Sequence, residues 1–273
     1  MADDWVVSVD GGGSSTDVLL ANIPLKTALL KRGGGTNPNV YGDDGIERLR
    51  KLMQKVLSET DVAAINVKTC VVGMAGISHP KHRPTLKQTC EALFPQASLQ
   101  LISDAELAHR TIWGEGPGMT LIVGTGSIAV GEDKDGKLRR VGGFGFQSGD
   151  VGGGYWFGKS LLTELIAADR SNDDEIVELR QLVTDHFGVR SFEEALEKAS
   201  DGEGVSIVAG LTPEIFKQAE NDNFIASQIV ASGADGLRDL VDELIEKVDF
   251  SGDLGLHGSV ITESHFYRKI LMN

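Results

Sequence analysis

The chain has 273 residues, 41% hydrophobic and 24% charged, the balance of a folded globular protein with one large or two ordinary domains. A net charge of −14 argues against nucleic-acid or anionic-membrane partners, since both need clustered Lys and Arg, but leaves room for a nucleotide held by backbone amides. No apolar run approaches the ~20 residues that span a bilayer. The acidic start "MADDWVVSVD" is unlike a secretory signal. Cys70 and Cys90 lack metal-ligand spacing and read as buried small hydrophobes, so a cytoplasmic setting is expected.

Val6, Val7 and Val9 lead in as one strand, and Val18, Leu19 and Leu20 lead out as another, with "DGGGSST" between them. The glycines therefore belong to the tip of a β-hairpin, unlike the strand-to-helix glycine turns of the commonest nucleotide folds. "TALLKRGGG" predicts a third strand and "TNPNVYGDD" a loop. Ile46, Leu49, Leu52, Met53, Val56 and Leu57 then recur at helical spacing behind Asp43 and Asp44. "TCVVGMAGI" and "SLQLIS" read as strands, "RPTLKQTCEALF" and "DAELAHRTIW" as helices. The order β-β-β-α-β-α-β-α is ribonuclease-H-like.

The pattern then restarts. "MTLIVGTGSIAVGEDKDGKLRRVGG" predicts strand, Gly-Thr-Gly-Ser turn, strand, Asp-Gly turn and strand; helices follow, and "GDLGLHGSV" returns to a strand. The expected architecture is α/β, with two ribonuclease-H-like domains, 1–115 and 116–273, about a hinge near Gly114–Gly118. Each domain offers a glycine-tipped hairpin to an interdomain cleft.

Several residues suit phosphate chemistry. Asp10 precedes Gly11, Gly12 and Gly13, where a carboxylate could hold Mg²⁺ beside phosphates gripped by the turn, with Ser14 and Ser15 adding hydroxyls. One such turn could be a plain hairpin; its recurrence at Gly124, Thr125, Gly126 and Ser127 favours phosphate. Asp104 follows a strand and opens a helix, so it reads either as an N-cap or as a functional group at the carboxyl end of a parallel strand. "GGFGFQSGDVGGGYW" has more glycine than a structural loop needs, which suggests close approach to a ligand. Phe144, Phe146 and Trp156 read as core residues, Asn37 and Asn39 as turn formers, and the six histidines as surface or cap residues.

Taken in order, "DGGGSSTDVLL", "GTNPNVYG", "VVGMAGI", "SDAELAH", "IVGTGS", "GGFGFQSGDVGGGYW" and "LHGSV" resemble the N-acetylglucosamine kinases of the BadF/BadG/BcrA/BcrD ATPase family, within the actin-like ATPase superfamily. The resemblance implies Mg²⁺-dependent transfer from ATP to the 6-hydroxyl of a small-molecule amino sugar, N-acetylglucosamine or glucosamine, in a chain for which a homodimer is a compatible assembly. It implies that Asp104 is catalytic base and sugar contact. Ser14, Thr125, Ala209 and the Gly258–Ser259 pair would meet ATP; Asn37, Gly143, Phe144, Gly145 and Asp150 would meet the sugar. Gly143–Phe144–Gly145 replaces the usual Gly-Trp-Gly. Val151 stands where relatives often carry a glutamate, and the end at Asn273 reads as a shortened C-terminus. A catalytically weak sugar or nucleotide sensor is the alternative from another class. The radical-dehydratase activators of the same family need cluster-binding cysteines in glycine-rich surroundings, which Cys70 and Cys90 lack.

Overall fold

The computed structural model describes residues 4–77, 79–114, 116–145, 149–168, 173–200, 204–249 and 252–273. Phe146, expected in the core, lies outside them. The chain divides into two compact units, Met1–Thr111 and Ile112–Asn273.

The first unit is built on β1 (Trp5–Gly11), β2 (Ser15–Asn22), β3 (Thr27–Gly34), β4 (Val67–Met74) and β5 (Ser98–Ile102), ordered β3-β2-β1-β4-β5. β1, β2 and β3 form an antiparallel meander; β1, β4 and β5 run parallel, with Val9 opposite Val72 and Val72 opposite Leu101. Strand alternation puts Val7, Val9, Val18, Leu20, Cys70 and Val72 in the core. Helix α2 (Asp43–Thr60) buries Ile46, Leu49, Met53 and Val56, and α3 (Arg83–Leu93) buries Leu86 and Cys90, in the same core. Both cysteines are buried free thiols, and hydrogen bonding with Cys90, together with burial, pushes the Cys70 thiol up. Between β3 and α2 the expected loop contains a one-turn helix, α1 (Pro38–Tyr41). Asn37 caps it and Pro38 starts it, because proline is preorganised for a first helical turn. Helix α4 (Asp104–Trp113) follows β5.

The second unit repeats the meander as β6 (Met119–Val123), β7 (Ser127–Glu132) and β8 (Leu138–Gly142), with β9 (Leu254–His257) parallel to β6 and the order β8-β7-β6-β9. The β7–β8 turn closes on Asp133, whose Oδ1 accepts from the amides of Asp135 (3.0 Å) and Lys137 (2.9 Å), while Gly136 takes φ +71°. Eight helices complete the unit's described residues: α5 (Gly154–Ala167), α6 (Asp174–Phe187), α7 (Phe192–Ser200), α8 (Gly204–Ala209), α9 (Thr212–Glu220), α10 (Phe224–Val248), α11 (Ser259–Glu263) and α12 (His265–Leu271). Their apolar stripes pack Phe157, Leu161, Ile215, Leu237 and Tyr267 against Leu121, Val123 and Ala129 of the sheet. Among the described residues no helix is long and apolar enough to cross a membrane.

Burial corrects two expectations. Phe144 is 75% exposed, not a core residue, and lies between Gly143 and Gly145, both at positive φ. His109 is 1% exposed and neither surface nor cap, since it shares the inward stripe of α4 with Ala105 and Ala108; His82, 6% exposed, occupies the cap position of α3, one of the two expected roles.

Tyr267 stacks on Phe216 (4.7 Å) and meets the edge of Phe157 (5.3 Å), and its fully buried hydroxyl makes no hydrogen bond. A buried hydroxyl without a partner costs roughly 1–3 kcal/mol. Tyr267→Phe should therefore keep or raise the urea midpoint, by about 1 kcal/mol in stability. A loss of stability would show that the hydroxyl is satisfied in solution.

Candidate functional site

In the first unit β1 and β2 join through a turn in which the Gly12 amide donates to the Ser15 carbonyl (2.9 Å). The Gly12 carbonyl accepts from the amides of Thr36 (3.0 Å) and Asn37 (3.2 Å), and the Gly11 carbonyl accepts from Ala75 (2.8 Å). Tyr41 donates its hydroxyl to the Gly13 carbonyl (3.0 Å), and Thr16 and Thr36 share a buried hydroxyl pair (2.8 Å). The segments after β3 and β4 thus clamp the hairpin from two sides. Glycine makes the approach possible: a Cβ on Gly35 would run into the Gly13 backbone, and one on Gly76 into the side chains of Asn37 and Asn39.

A trans peptide carries its carbonyl and amide on opposite edges. With the Gly12 carbonyl fixed towards the 35–37 loop, the following Gly13 amide points away from that loop, the orientation an anion needs. Ser14 and Ser15 are exposed beside it. Asp10 is exposed on the last turn of β1, in a cross-strand row with Asp17 and Arg32. Asp17 and Arg32 form a bidentate pair (2.8 and 2.7 Å), and that hydrogen bonding holds the Asp17 carboxyl below its usual range.

Asp104 lies past the carboxyl end of β5, whose Ile102 pairs with Gly73 near the end of β4. It is not the helix cap. Ser103 is: its hydroxyl accepts from the Glu106 amide (3.0 Å) and its carbonyl from Leu107 (2.9 Å). Asp104 is the first residue of α4, half-buried, and its carboxylate is not required for capping. Asp10, the hairpin, Asn37 and Asp104 all share the carboxyl end of this sheet. The Asn37 side chain accepts from the Asn39 amide (2.9 Å), so the expected turn role is present.

The second unit builds its hairpin on a different brace. The Gly124 amide donates to the Gly126 carbonyl (3.0 Å). The Gly124 carbonyl accepts from Gly154 (2.8 Å) and the Thr125 carbonyl from Tyr155 (3.0 Å), so the first turn of α5 docks on the tip. By the same peptide geometry the amides of Thr125 and Gly126 face away from α5. A Cβ on Gly153 would meet the Gly126 backbone at 2.7 Å, and one on Gly258 (φ +94°) would collide with Val123, so β6, α5 and α11 converge closely. Ala209 sits beside Gly154, where Thr212 Oγ1 donates to the Gly154 carbonyl (3.0 Å). The structure thus gathers Gly124–Gly126, Ala209, Gly258 and Ser259; the contribution of Gly153–Gly154 was hidden in a glycine run read only as ligand approach. The Ser127 hydroxyl is 2% exposed and donates to the Val151 carbonyl (2.7 Å), so it is committed inside the protein.

Asp150 is 8% exposed. Burial raises its pKa above the ordinary carboxylate value, partly offset by the amides of Phe144 (3.1 Å), Ser127 and Gly145. Val151 packs against Gly236 of α10. Gly142, Gly143, Gly145 and Gly149 all have positive φ, which explains the glycine content of this loop in conformational terms. A cavity of about 410 Å³ opens beside it, with Phe144, Asp150, Val151, Leu240 and Arg140 in its wall.

Two tip glycines stand apart. A Cβ on Gly13 or on Gly124 would meet nothing within 4 Å, and neither has a positive φ. Among the described residues, none crowds a side chain there. Gly13→Ala and Gly124→Ala should therefore keep or raise the melting temperature and weaken ATP binding in calorimetry. Unaltered affinity in both variants would remove the hairpins from the nucleotide site.

N-acetyl-D-glucosamine kinase of Dictyostelium discoideum is 25% identical over 260 residues, covering 91% of this chain and 81% of that protein. The N-acetylmuramic acid/N-acetylglucosamine kinase of Clostridium acetobutylicum is 28% identical over 176 residues, covering 64% and 58%. In fold, the chain resembles the crystal structure of a protein from Chromobacterium violaceum provisionally named an N-acetylglucosamine kinase (TM-score 0.77, 20% identity, 98% of this chain and 90% of that one). It also resembles a ROK family glucokinase from Streptomyces griseus in complex with glucose and AMPPNP (TM-score 0.62, 15% identity, 98% and 87%). Residues 7–272 match the BadF/BadG/BcrA/BcrD ATPase family, and the chain belongs to that family.

Proposed function

We propose that the protein is an ATP-dependent amino-sugar kinase that phosphorylates N-acetylglucosamine on its 6-hydroxyl. The carrying observation is the pair of glycine-tipped hairpins, each with its carbonyls turned into the protein and a tip glycine that no described residue crowds. The two kinases it resembles in sequence support the amino sugar.

Phosphoryl transfer asks mainly for positioning and for stabilisation of the charge on the transferring group. In this reading the outward amides of Gly13, Thr125 and Gly126 hold phosphate oxygens, with Ser14 beside them. Ala209, Gly258 and Ser259 meet the rest of the nucleotide. Asn37 and the Gly143–Gly145 loop orient the sugar, and Asp104 accepts the proton of the attacking hydroxyl. The surroundings of Asp10 suit Mg²⁺, which typically binds one or two carboxylates together with phosphates and water. Its carboxylate is exposed, and the described residues contain no denser cluster of metal-ligating side chains. When bound, the ion would neutralise charge on the phosphates.

With Mg²⁺ and ATP the protein should show a higher kcat/KM for N-acetylglucosamine than for glucose; the reverse order would overturn the amino-sugar assignment. Asp104→Asn keeps size, and Ser103 still caps α4, so the fold should survive. Loss of a general base costs ~10²–10⁴ in rate. Single-turnover transfer should slow by that factor while ATP still binds. Transfer near the parent rate would leave Asp104 without a catalytic role.

A further inference from the structure

We propose that Tyr41 is a positioning residue for the glycine turn of the first unit: its hydroxyl fixes the Gly13–Ser14 peptide, so that nucleotide affinity depends on a side chain 28 positions away from that turn. The proposal deepens the kinase reading and rests on it for the identity of the ligand.

The three glycine carbonyls of this turn are held in different ways. Gly11 accepts from the Ala75 amide (2.8 Å) and Gly12 from the amides of Thr36 (3.0 Å) and Asn37 (3.2 Å), all backbone donors. Gly13 accepts from the Tyr41 hydroxyl (3.0 Å), a side-chain donor. In the second unit the Gly124, Thr125 and Gly126 carbonyls all meet backbone amides. A single side-chain substitution can therefore release the Gly13 carbonyl and leave the other braces in place. That carbonyl shares a planar peptide with the Ser14 amide, which lies on the opposite edge, so fixing one aims the other. The phenol is itself held. Tyr41 ends α1, where its amide donates to the Asn37 carbonyl (3.0 Å) and Pro38 is buried. Its ring packs on Gly35, where a Cβ would lie 2.9 Å from Cε2, and the Arg48 guanidinium stacks over it, 4.4 Å from the ring centroid. Gly13 is half-buried, so without the hydroxyl its carbonyl can take a water and the peptide is free to turn. A turn that the ligand must first reorient binds that ligand more weakly than a preorganised one.

The test is Tyr41→Phe, which removes the hydroxyl and keeps the ring on Gly35 and under Arg48. The measurements are the Kd of Mg²⁺-ATP by calorimetry, the Kd of adenosine by competition with ATP, the KM for N-acetylglucosamine and the melting temperature. The net worth of one hydrogen bond corresponds to about 5-fold in an equilibrium constant, and the Kd of Mg²⁺-ATP should rise by that factor. Adenosine carries no phosphate and should bind as it does to the parent, and the sugar KM and the melting temperature should stay near the parent values. An unchanged ATP Kd overturns the proposal, whether or not the melting temperature falls. Equal losses for ATP and adenosine also overturn it, because a loosened fold weakens both. A rise in the sugar KM alone makes Tyr41 part of the sugar pocket and overturns it as well. Gly13→Ala separates this proposal from the kinase reading. If Gly13→Ala weakens ATP binding and Tyr41→Phe does not, only the role of Tyr41 falls. If neither does, the turn is not a nucleotide site and both fall together.

Discussion

Both sheets end in a glycine turn whose carbonyl oxygens are held by the protein itself, and the rest of the candidate site follows from that constraint. Gly12 is held by the 35–37 loop, Gly124 and Thr125 by the first turn of α5. Planarity of the peptide then orients the neighbouring amides. The two braces are chemically different, a loop in one unit and a helix N-terminus in the other, yet each fixes the turn from its carbonyl side. A turn fixed in this way has its donors aimed before any ligand arrives, and preorganised donors recover more of their interaction energy than donors that must reorient.

Electrostatics explains why the protein would use amides. With a net charge of −14, the protein repels a polyphosphate at long range, and neither hairpin tip carries Lys or Arg. Arg32, the cation beside Asp10, is committed to Asp17 in a bidentate pair. What remains is short-range donation from oriented backbone, helped by a cation that neutralises the phosphates, and Asp10 is the exposed carboxylate placed to receive one. The acidity of the chain therefore weighs against nucleic-acid partners without weighing against a metal-complexed nucleotide.

The strands and both hairpins were legible because period-two apolar runs and glycine or Asp-Gly turns are local signals. Asp104 shows where local signals stop. Ser103 and Asp104 are both good caps, and only the observed bond to the Glu106 amide shows that the serine takes the cap position and the aspartate the first helical one. Burial was harder still. His109 is buried by its place on the inner stripe of α4, and Phe144 is exposed between two glycines at positive φ. The surroundings of Asp150 include Gly126, 24 positions earlier, and the Phe144 amide, which no spacing rule connects to it.

Glycine content alone was therefore an ambiguous guide, and the structure divides the glycines by what each one excludes. At Gly35, Gly76, Gly153 and Gly258 a side chain would strike another part of the protein, so these residues let loops and helices close on the hairpins. At Gly126 it would strike a carboxylate. At Gly13 and Gly124 it would strike nothing, and the backbone there is open to any L-residue. A glycine kept where the folded chain neither crowds it nor bends it lowers stability, because its unfolded state has more freedom to lose. Such a cost is consistent with a requirement from outside the chain. At these two positions the requirement falls on the tips of the two turns whose amides are already aimed outward, which makes phosphate the ligand chemistry that accounts for both features at once.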